Sequence, residues 1–177
     1  MCNRYVPPRR AKVRVKDHIL EGEFRFEDAR PTDPAPVLLQ DGFKEMRWGW
    51  RVPWDQKPLT NAKSETLLTL ATYRDHLEQR CLILAEGFFE KGIRFNRPNS
   101  ELFAMAGLWR SEKDGNKFTM LTTTPNETVL PYHNRMPFIV RPDLYDAWLG
   151  ERWQQVLTEP DQSPLDKIQK QPGLFGI

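Results

Sequence analysis

The sequence contains little of several residue types, and each shortage removes a class of protein. Of its 177 residues only two are cysteines and three are histidines, and neither a CxxC nor an HExxH spacing occurs. We therefore expect no metal site and no cofactor. No apolar run approaches the roughly 18–20 residues that cross a bilayer, and the N-terminus lacks the apolar core of a signal peptide. A cytoplasmic protein without membrane contact is expected.

The scarcity of cysteine also bears on disulfides and on domain organisation. Cys2 and Cys81 are expected at opposite ends of the core, and in a reducing compartment both thiols should be free. The length and the 39% hydrophobic content suit one domain. We expect that domain over residues 1–160, followed by a flexible tail over residues 161–177.

The pattern along the chain favours strands over helices. Leu67, Leu70, Ala71 and Leu77 share one helical face, which predicts a helix over Ser64–Arg80, and a shorter helix is predicted over Asp143–Leu149. These features predict an α+β protein, a single compact domain around an antiparallel barrel-like sheet with a few flanking helices. The predicted strands are Pro36–Gln40, Glu45–Trp50, Arg80–Phe89, Glu101–Arg110, Lys117–Thr123 and Pro137–Val140.

Cys2 is the most informative residue, because removal of Met1 would leave an amine and a thiol on one residue. An α-amine has a pKa of about 7.7–8.0 and a free thiol about 8.5, so part of each group is nucleophilic near pH 7. The amine condenses with an aldehyde to a Schiff base, and the thiol then closes a thiazolidine ring. Taken alone, Cys2 is better explained as a small residue placed there by chance.

Three further residues are candidates for chemistry, and each also has a structural explanation. Glu90 follows an apolar run beside two phenylalanines, where desolvation would raise its pKa, although strand ends commonly carry exposed glutamates. His133 is a natural proton shuttle, although a lone histidine is more often structural. Asn61 precedes the predicted helix, where turn formation alone would explain it. The basic residues between Arg4 and Lys16 suggest that the protein binds a polyanion, although they are also consistent with a solvent-exposed face.

Six motifs together resemble those of the SOS response-associated peptidase (SRAP) family, over roughly residues 2–150. The resemblance implies a compact barrel-like α+β fold with a positively charged groove, and recognition of abasic sites in single-stranded DNA. The motifs, in chain order, are Met1-Cys2-Asn3-Arg4-Tyr5, Trp48-Gly49-Trp50 with Val52-Pro53-Trp54, Asn61-Ala62-Lys63-Ser64-Glu65-Thr66, Arg80-Cys81 through Gly87-Phe88-Phe89-Glu90, Ala106-Gly107-Leu108-Trp109, and His133-Asn134-Arg135-Met136-Pro137.

The resemblance also implies roles for individual residues. Cys2 would form a thiazolidine cross-link with the abasic sugar, with possible strand cleavage by β-elimination through the Schiff base. Asn61 would position the N-terminal residue, Glu90 would move protons and His133 would assist at the sugar oxygens. The implied DNA-contacting residues are Arg4, Trp54, Lys63 and Arg135. A monomer is expected, associated with the nucleoid if the host is bacterial.

This chain departs from the family pattern at several positions. Asn3 stands where glycine is usual, Lys63 where arginine is usual, and Lys91 where an aromatic residue is common. Lys63 gives a point charge instead of a bidentate phosphate contact. The segment between Asp17 and Pro36 is short, and so is the C-terminal part. We therefore expect these departures to affect DNA affinity more than the reaction chemistry.

Other functions stay open at this point. One is an N-terminal-cysteine peptidase that removes its own leader, and another is a non-catalytic single-strand binding protein. Separately, Gln171, Leu174 and Phe175 resemble the short peptides that dock on the replication sliding clamp, although an ordinary frayed tail explains the same residues.

Overall fold

Short strands account for most of the regular structure. The computed structural model describes residues 2–9, 12–21 and 28–168. The strands there are β1 (Tyr5–Val6), β2 (Lys12–Val15), β3 (His18–Glu21), β4 (Pro34–Leu39), β5 (Gly42–Trp48), β6 (Trp50–Val52), β7 (Asp55–Leu59), β8 (Asn61–Lys63), β9 (Arg80–Ala85), β10 (Gly87–Glu90), β11 (Ile93–Asn96), β12 (Phe103–Glu112), β13 (Gly115–Thr123), β14 (Met136–Pro137), β15 (Ile139–Val140) and β16 (Asp166–Ile168).

The helices are short. They are α1 (Ala71–Arg74), α2 (Tyr145–Leu149) and α3 (Trp153–Val156), with 3-10 turns at Ser64–Thr66, Pro98–Ser100 and Pro142–Leu144. The shorter predicted helix is therefore confirmed at α2, whereas the continuous helix over Ser64–Arg80 is wrong. Leu70 is extended, with φ −80° and ψ 120°. The hydroxyls of Thr66 and Thr69 donate to carbonyls three residues earlier, and such local bonds compete with helix formation.

Five strands close into a barrel. β13 pairs with β5, β5 with β4, β4 with β9, β9 with β12, and β12 pairs back to β13. The predicted α+β class and barrel-like sheet are confirmed, with one difference: the sheet is mixed, because β13 runs parallel to both β5 and β8. A parallel pair needs a long connection, and here two other barrel strands, β9 and β12, lie in sequence between β5 and β13.

Both faces of the central strands are buried, which explains why they are apolar without alternation. All six residues of β9 are buried. Cys81 and Ile83 belong to one core cluster with Trp48 and Met120, whereas Leu82 belongs to a second cluster that includes residues of α2 and α3. Gly107 on β12 fits only without a side chain, because a Cβ there would lie 2.9 Å from the Cys81 Sγ.

The two cysteines and the start of the tail differ from the expected arrangement. Both thiols are free and buried, but Cys2 and Cys81 lie in the same core cluster, not at opposite ends of the core.

Residues 161–168 belong to the packed structure: the Asp161 N–H donates to the Ile139 carbonyl at 2.9 Å, Leu165 is 6% exposed and β16 pairs with β11. None of the helices in the described part of the chain is long and apolar enough to cross a membrane.

Candidate active-site cleft

Cys2 is held in the barrel by contacts from distant parts of the chain. Its side chain is fully buried, and Sγ donates to the Arg4 carbonyl at 3.4 Å. The Asn61 Nδ2 donates to the Cys2 carbonyl at 2.8 Å. β1 pairs with β10, and the Phe89 N–H donates to the Arg4 carbonyl at 3.0 Å. The second residue of the chain is thus fixed as firmly as a core residue, although chain termini are usually mobile.

Burial changes the chemistry of the Cys2 thiol. Desolvation, with a smaller contribution from the charge of Glu90, raises the pKa of Cys2 to about 12. The expectation that part of this thiol is ionised near pH 7 used the ordinary thiol pKa, and burial of Cys2 in the folded chain opposes it. The sulfur must lose its proton during the reaction, to a base or to the nitrogen beside it.

Glu90 ends β10 next to this residue. The turn that follows consists of Lys91 and Gly92, both with positive φ (51° and 80°), and it leads directly into β11. Glu90 is 5% exposed. Burial raises the pKa of its carboxyl group, in the expected direction, although the nearby charges of His133 and Lys91 act to lower it. A carboxyl that titrates closer to neutrality both accepts and donates protons, as a general acid–base group must.

His133 faces the same cleft as Glu90. The backbone N–H of Arg135 donates to its Nδ1 at 3.0 Å. The same Nδ1 also lies 3.1 Å from the Arg135 carbonyl oxygen, so either tautomer of the ring is held by a hydrogen bond to Arg135. The histidine is thereby oriented by its own loop.

The cleft has a volume of about 520 Å³ and a mixed, mainly positive lining. Two lining residues, Arg30 and Pro31, were not predicted from the sequence. They reach the cleft because the preceding residue, Ala29, forms a β-bridge with Tyr5. No local signal predicts this contact, since the two residues are far apart in sequence. The charged and polar residues of the lining are Asn3, Arg4, Arg30, Glu90, Lys91 and His133. Within the described ranges, no group of histidine, cysteine or acidic side chains is arranged to hold a metal ion.

The predicted DNA-contacting residues differ in their surroundings. Arg4 lies with its guanidinium 3.5 Å from the centre of the Phe89 ring, inside the cleft wall. Trp54 is 69% exposed in the turn between β6 and β7. Lys63 is exposed at the end of β8, two residues from Asn61. Trp54 and Lys63 are accessible to a ligand, whereas the Arg4 side chain is 29% exposed and lies 3.7 Å from the Asp28 carboxylate.

Arg135 is instead engaged within the protein. Its guanidinium donates to both carboxylate oxygens of Glu65, at 2.7 and 2.8 Å, and to the Thr122 carbonyl at 2.6 Å. Only 12% of its side chain is exposed. A phosphate contact by Arg135 would require it to leave or share Glu65. The predicted clamp-binding residues Gln171, Leu174 and Phe175 lie outside the described residues, and that call stays a prediction.

Comparison with known proteins identifies the family. The sequence model of the SOS response associated peptidase (SRAP) family matches residues 1–171. The chain belongs to the SRAP family. The abasic site processing protein YoqW of Bacillus subtilis is 31% identical over 83% of this chain and 75% of its own length. YoaM of the same organism, which carries the same description, is 30% identical over 75% of this chain and 69% of its own.

Solved structures show the same fold. A crystal structure of a Bordetella bronchiseptica protein superposes with a TM-score of 0.78 at 21% identity, covering 94% of this chain and 98% of that one. A phage-related protein from the same organism gives a TM-score of 0.76 at 16% identity, with 97% and 96% covered. At these identities the likeness establishes the SRAP fold, not a shared activity.

Proposed function

We propose that this SRAP protein recognises abasic sites in single-stranded DNA and links covalently to them through Cys2 once Met1 has been removed. The relatives YoqW and YoaM are described as abasic site processing proteins, which supports the substrate. The main observation behind the proposal is that residue 2 is held in the barrel by burial and by hydrogen bonds. A chain terminus that is fully buried and hydrogen-bonded to Asn61, beside a cleft containing Glu90 and His133, is positioned for reaction and not merely for packing.

The proposed reaction is a condensation followed by a ring closure. The Cys2 α-amine adds to the aldehyde carbon of the opened sugar, and loss of water gives an imine. The thiol then adds to the imine carbon, so that one C–S bond forms and the sulfur proton passes to the nitrogen. The product is a thiazolidine, and one water molecule is released overall. Until Met1 is removed, the Cys2 nitrogen is an amide and the first step is blocked.

Glu90 would move the protons of these steps. Its raised pKa makes the carboxylate a better base for the ammonium and thiol protons, and makes the acid available to protonate the departing hydroxyl. His133, held by Arg135 in the same cleft, would serve the sugar oxygens. Asn61 would fix the carbonyl of residue 2 and thereby the direction of its amine. If the imine is deprotonated at the neighbouring sugar carbon before the ring closes, β-elimination would cleave the strand.

The DNA would be held mainly by its backbone. Arg4 in the cleft and Lys63 near Asn61 supply cations for flanking phosphates, and the exposed Trp54 ring supplies a surface for base stacking. Such contacts carry no sequence information, so we expect binding that depends on the abasic site and not on the bases around it.

The test is a denaturing gel of the processed protein mixed with single-stranded DNA that carries one abasic site. We expect an adduct that survives denaturation, disappears in Cys2→Ala and in protein that retains Met1, and persists in Cys81→Ala, the matched control for the second thiol. Asn61→Ala should slow the adduct without abolishing it. If fully processed protein gives no adduct, the proposal is wrong.

The surroundings of the thiol also separate this proposal from the peptidase alternative. A cysteine peptidase needs a thiol with a lowered pKa, whereas burial raises that of Cys2. We therefore expect slow acylation of Cys2 by peptide-derived thiol reagents. Rapid acylation that competes with the DNA adduct would favour the peptidase.

A further inference from the structure

A second cleft lies beyond the active-site cleft, under the hairpin formed by β6 and β7. We call it the hairpin cleft. Its volume is about 720 Å³, and β5, β13 and the hairpin provide its walls. The lining contains four cationic side chains and two carboxylates. The cations are Arg47, Arg51, Lys57 and Lys117, and the acidic residues are Asp55 and Asp114.

Lys117 gives the hairpin cleft a cation that is already desolvated. Its side chain is 5% exposed, and its ammonium group donates to Asp114 Oδ2 at 2.9 Å. The same carboxylate lies 3.8 Å from Arg51, so one negative charge is shared between two positive ones. A buried ammonium with three donors and a shared, half-exposed counterion is costly to maintain in a purely structural role. An anion in the cleft would offset that cost.

Arg47 and Lys57 extend the positive surface from the base of the cleft to its rim. Arg47 is paired with Lys117 in the parallel register of β5 and β13, so both side chains project from the same face of the sheet. Its Nη1 donates to the Thr32 carbonyl at 3.2 Å, which leaves most of the guanidinium donors available to another acceptor. Lys57 is exposed on β7.

One turn forms a wall of both clefts. Pro31 lines the active-site cleft, and the next residue, Thr32, lines the hairpin cleft. The turn is held by the Arg30 carbonyl, which accepts from the Asp33 N–H at 3.0 Å, and by the Asp33 carboxylate, which accepts from the Arg30 N–H at 3.0 Å. A polyanion that passes over this turn meets cations on both sides of it.

We infer that the hairpin cleft is a second phosphate-binding site, which holds the backbone of the DNA strand flanking the abasic site. The inference rests on the proposed function for the identity of the strand. Lys117 and Arg47 bind a phosphate at the base of the cleft, and Lys57 binds at the rim. The site therefore sets how much flanking DNA the protein requires.

The experiment compares two double variants that each remove two exposed cations. Arg47→Gln with Lys57→Gln alters the hairpin cleft, and Lys44→Gln with Arg74→Gln is the control, with the same charge change outside both clefts. Affinity for undamaged single-stranded DNA is measured against salt concentration, with a long oligonucleotide and with one that spans only the active-site cleft. For the long strand, loss of two phosphate contacts should lower the salt slope by about 1.4 and the affinity by about tenfold at low salt.

The short oligonucleotide should lose less than about twofold, and the control pair should stay near the wild type with both strands. Equal losses in the two double variants would overturn the inference. Phosphorus NMR with inorganic phosphate provides a further arm: binding that depends on Arg47 and Lys57, with unchanged DNA affinity, would assign the cleft to a free phosphate compound and would also overturn it. Because these measurements need no cross-link, their outcome is independent of whether the proposed reaction occurs.

Discussion

Glu90 is a carboxyl group whose burial opposes its ionisation, and this gives a prediction about stability. With a raised pKa in the folded state, the cost of ionising Glu90 is absent below the unfolded pKa of about 4.3 and develops as the pH rises through the folded value. Glu90→Gln removes this cost. We expect its melting temperature to exceed that of the wild type by about 2–4 °C at pH 8, the effect of about 1 kcal/mol in a domain of this size, and to match it near pH 4.

Thermal melts across this pH range check the prediction, with Glu45→Gln as control because Glu45 is an exposed residue of β5. An increase in melting temperature that is independent of pH would show that the charge of Glu90 does not destabilise the protein. The same variant should form the DNA adduct more slowly by about 10²–10⁴-fold, the range typical of a positioned acid or base. A substitution that stabilises the protein while slowing its reaction is typical of a functional site.

Trp54 is predicted to matter for DNA and not for folding. Because 69% of the residue is exposed, Trp54→Ala should change the free energy of unfolding by less than about 0.5 kcal/mol. If a base stacks on the ring, the same change should weaken single-strand binding by about 1–3 kcal/mol. Leu130→Ala, at a residue that is 61% exposed, is the control. Titration by fluorescence anisotropy measures the effect, and an unchanged affinity would exclude stacking.

At the scale of elements, the ion pair between Arg135 and Glu65 joins the loop that carries His133 to the turn after β8. The hydrogen bond from Arg135 lowers the pKa of Glu65. The pair therefore contributes stability above the unfolded pKa of Glu65, and the contribution is lost as the pH falls through the lowered folded value. Since Glu65 is 47% exposed, that contribution is at most about 1 kcal/mol.

Glu65→Gln tests whether this pair holds Arg135 away from DNA. The substitution leaves the guanidinium without its carboxylate, so a phosphate would no longer compete with Glu65. We expect single-strand affinity to rise by about two- to fivefold, the equivalent of about 0.4–1 kcal/mol, with a slightly lower melting temperature. Unchanged affinity in Glu65→Gln, together with unchanged affinity in Arg135→Gln, would assign Arg135 to structure alone.

Sequence patterns predicted elements well where a single physical pattern dominated. The run Cys81–Ala85 is apolar throughout because both faces of β9 are buried, and the predicted strand over this segment is present. The Ser64–Arg80 helix was wrong because its apolar spacing is also satisfied by two short turns, whose leucines pack in part on the core while the threonine hydroxyls bond the backbone.

The site was less predictable than the fold. Cys2, Asn61, Glu90 and His133 became candidates because motif resemblance preserves their order, although each residue taken alone favours a structural role. Contacts between distant segments had no local signal: Glu65 and Arg135 are 70 residues apart, and Arg47 meets Thr32 through tertiary packing. The pKa of the Cys2 thiol was also missed, since it depends on complete burial and not on neighbours in sequence.

At the scale of the whole molecule, residues 161–168 fasten the chain back onto the barrel. Arg97 and Asp161 form an ion pair with side chains 13% and 8% exposed. Burial acts to raise the pKa of Asp161, but hydrogen bonds from Ser163 and Arg97 bring about a net lowering. Asp161→Asn would leave the Arg97 guanidinium without its counterion, so we expect a loss of about 3 kcal/mol and a melting temperature lower by about 6–12 °C.

Urea unfolding of Asp161→Asn checks this prediction, with the exposed neighbour Gln162→Ala as control. Because neither Asp161 nor Arg97 lines the active-site cleft, the rate of adduct formation below the unfolding transition should be unchanged. Loss of less than about 1 kcal/mol would mean that the pair is dispensable and that the packing of Leu165 and β16 holds the segment instead.

The burial of residue 2 has a consequence for how the protein is made. β1 cannot dock before β10 has been synthesised, about 90 residues later, which at about 5–20 residues per second takes roughly 5–18 seconds. During that interval the initiator methionine is on an extended nascent chain and open to an aminopeptidase. Afterwards the bond to be cut adjoins a fully buried residue. Under the proposed function, removal of Met1 would have to precede folding of the barrel, so overproduction that outpaces the aminopeptidase should yield folded protein that forms no DNA adduct.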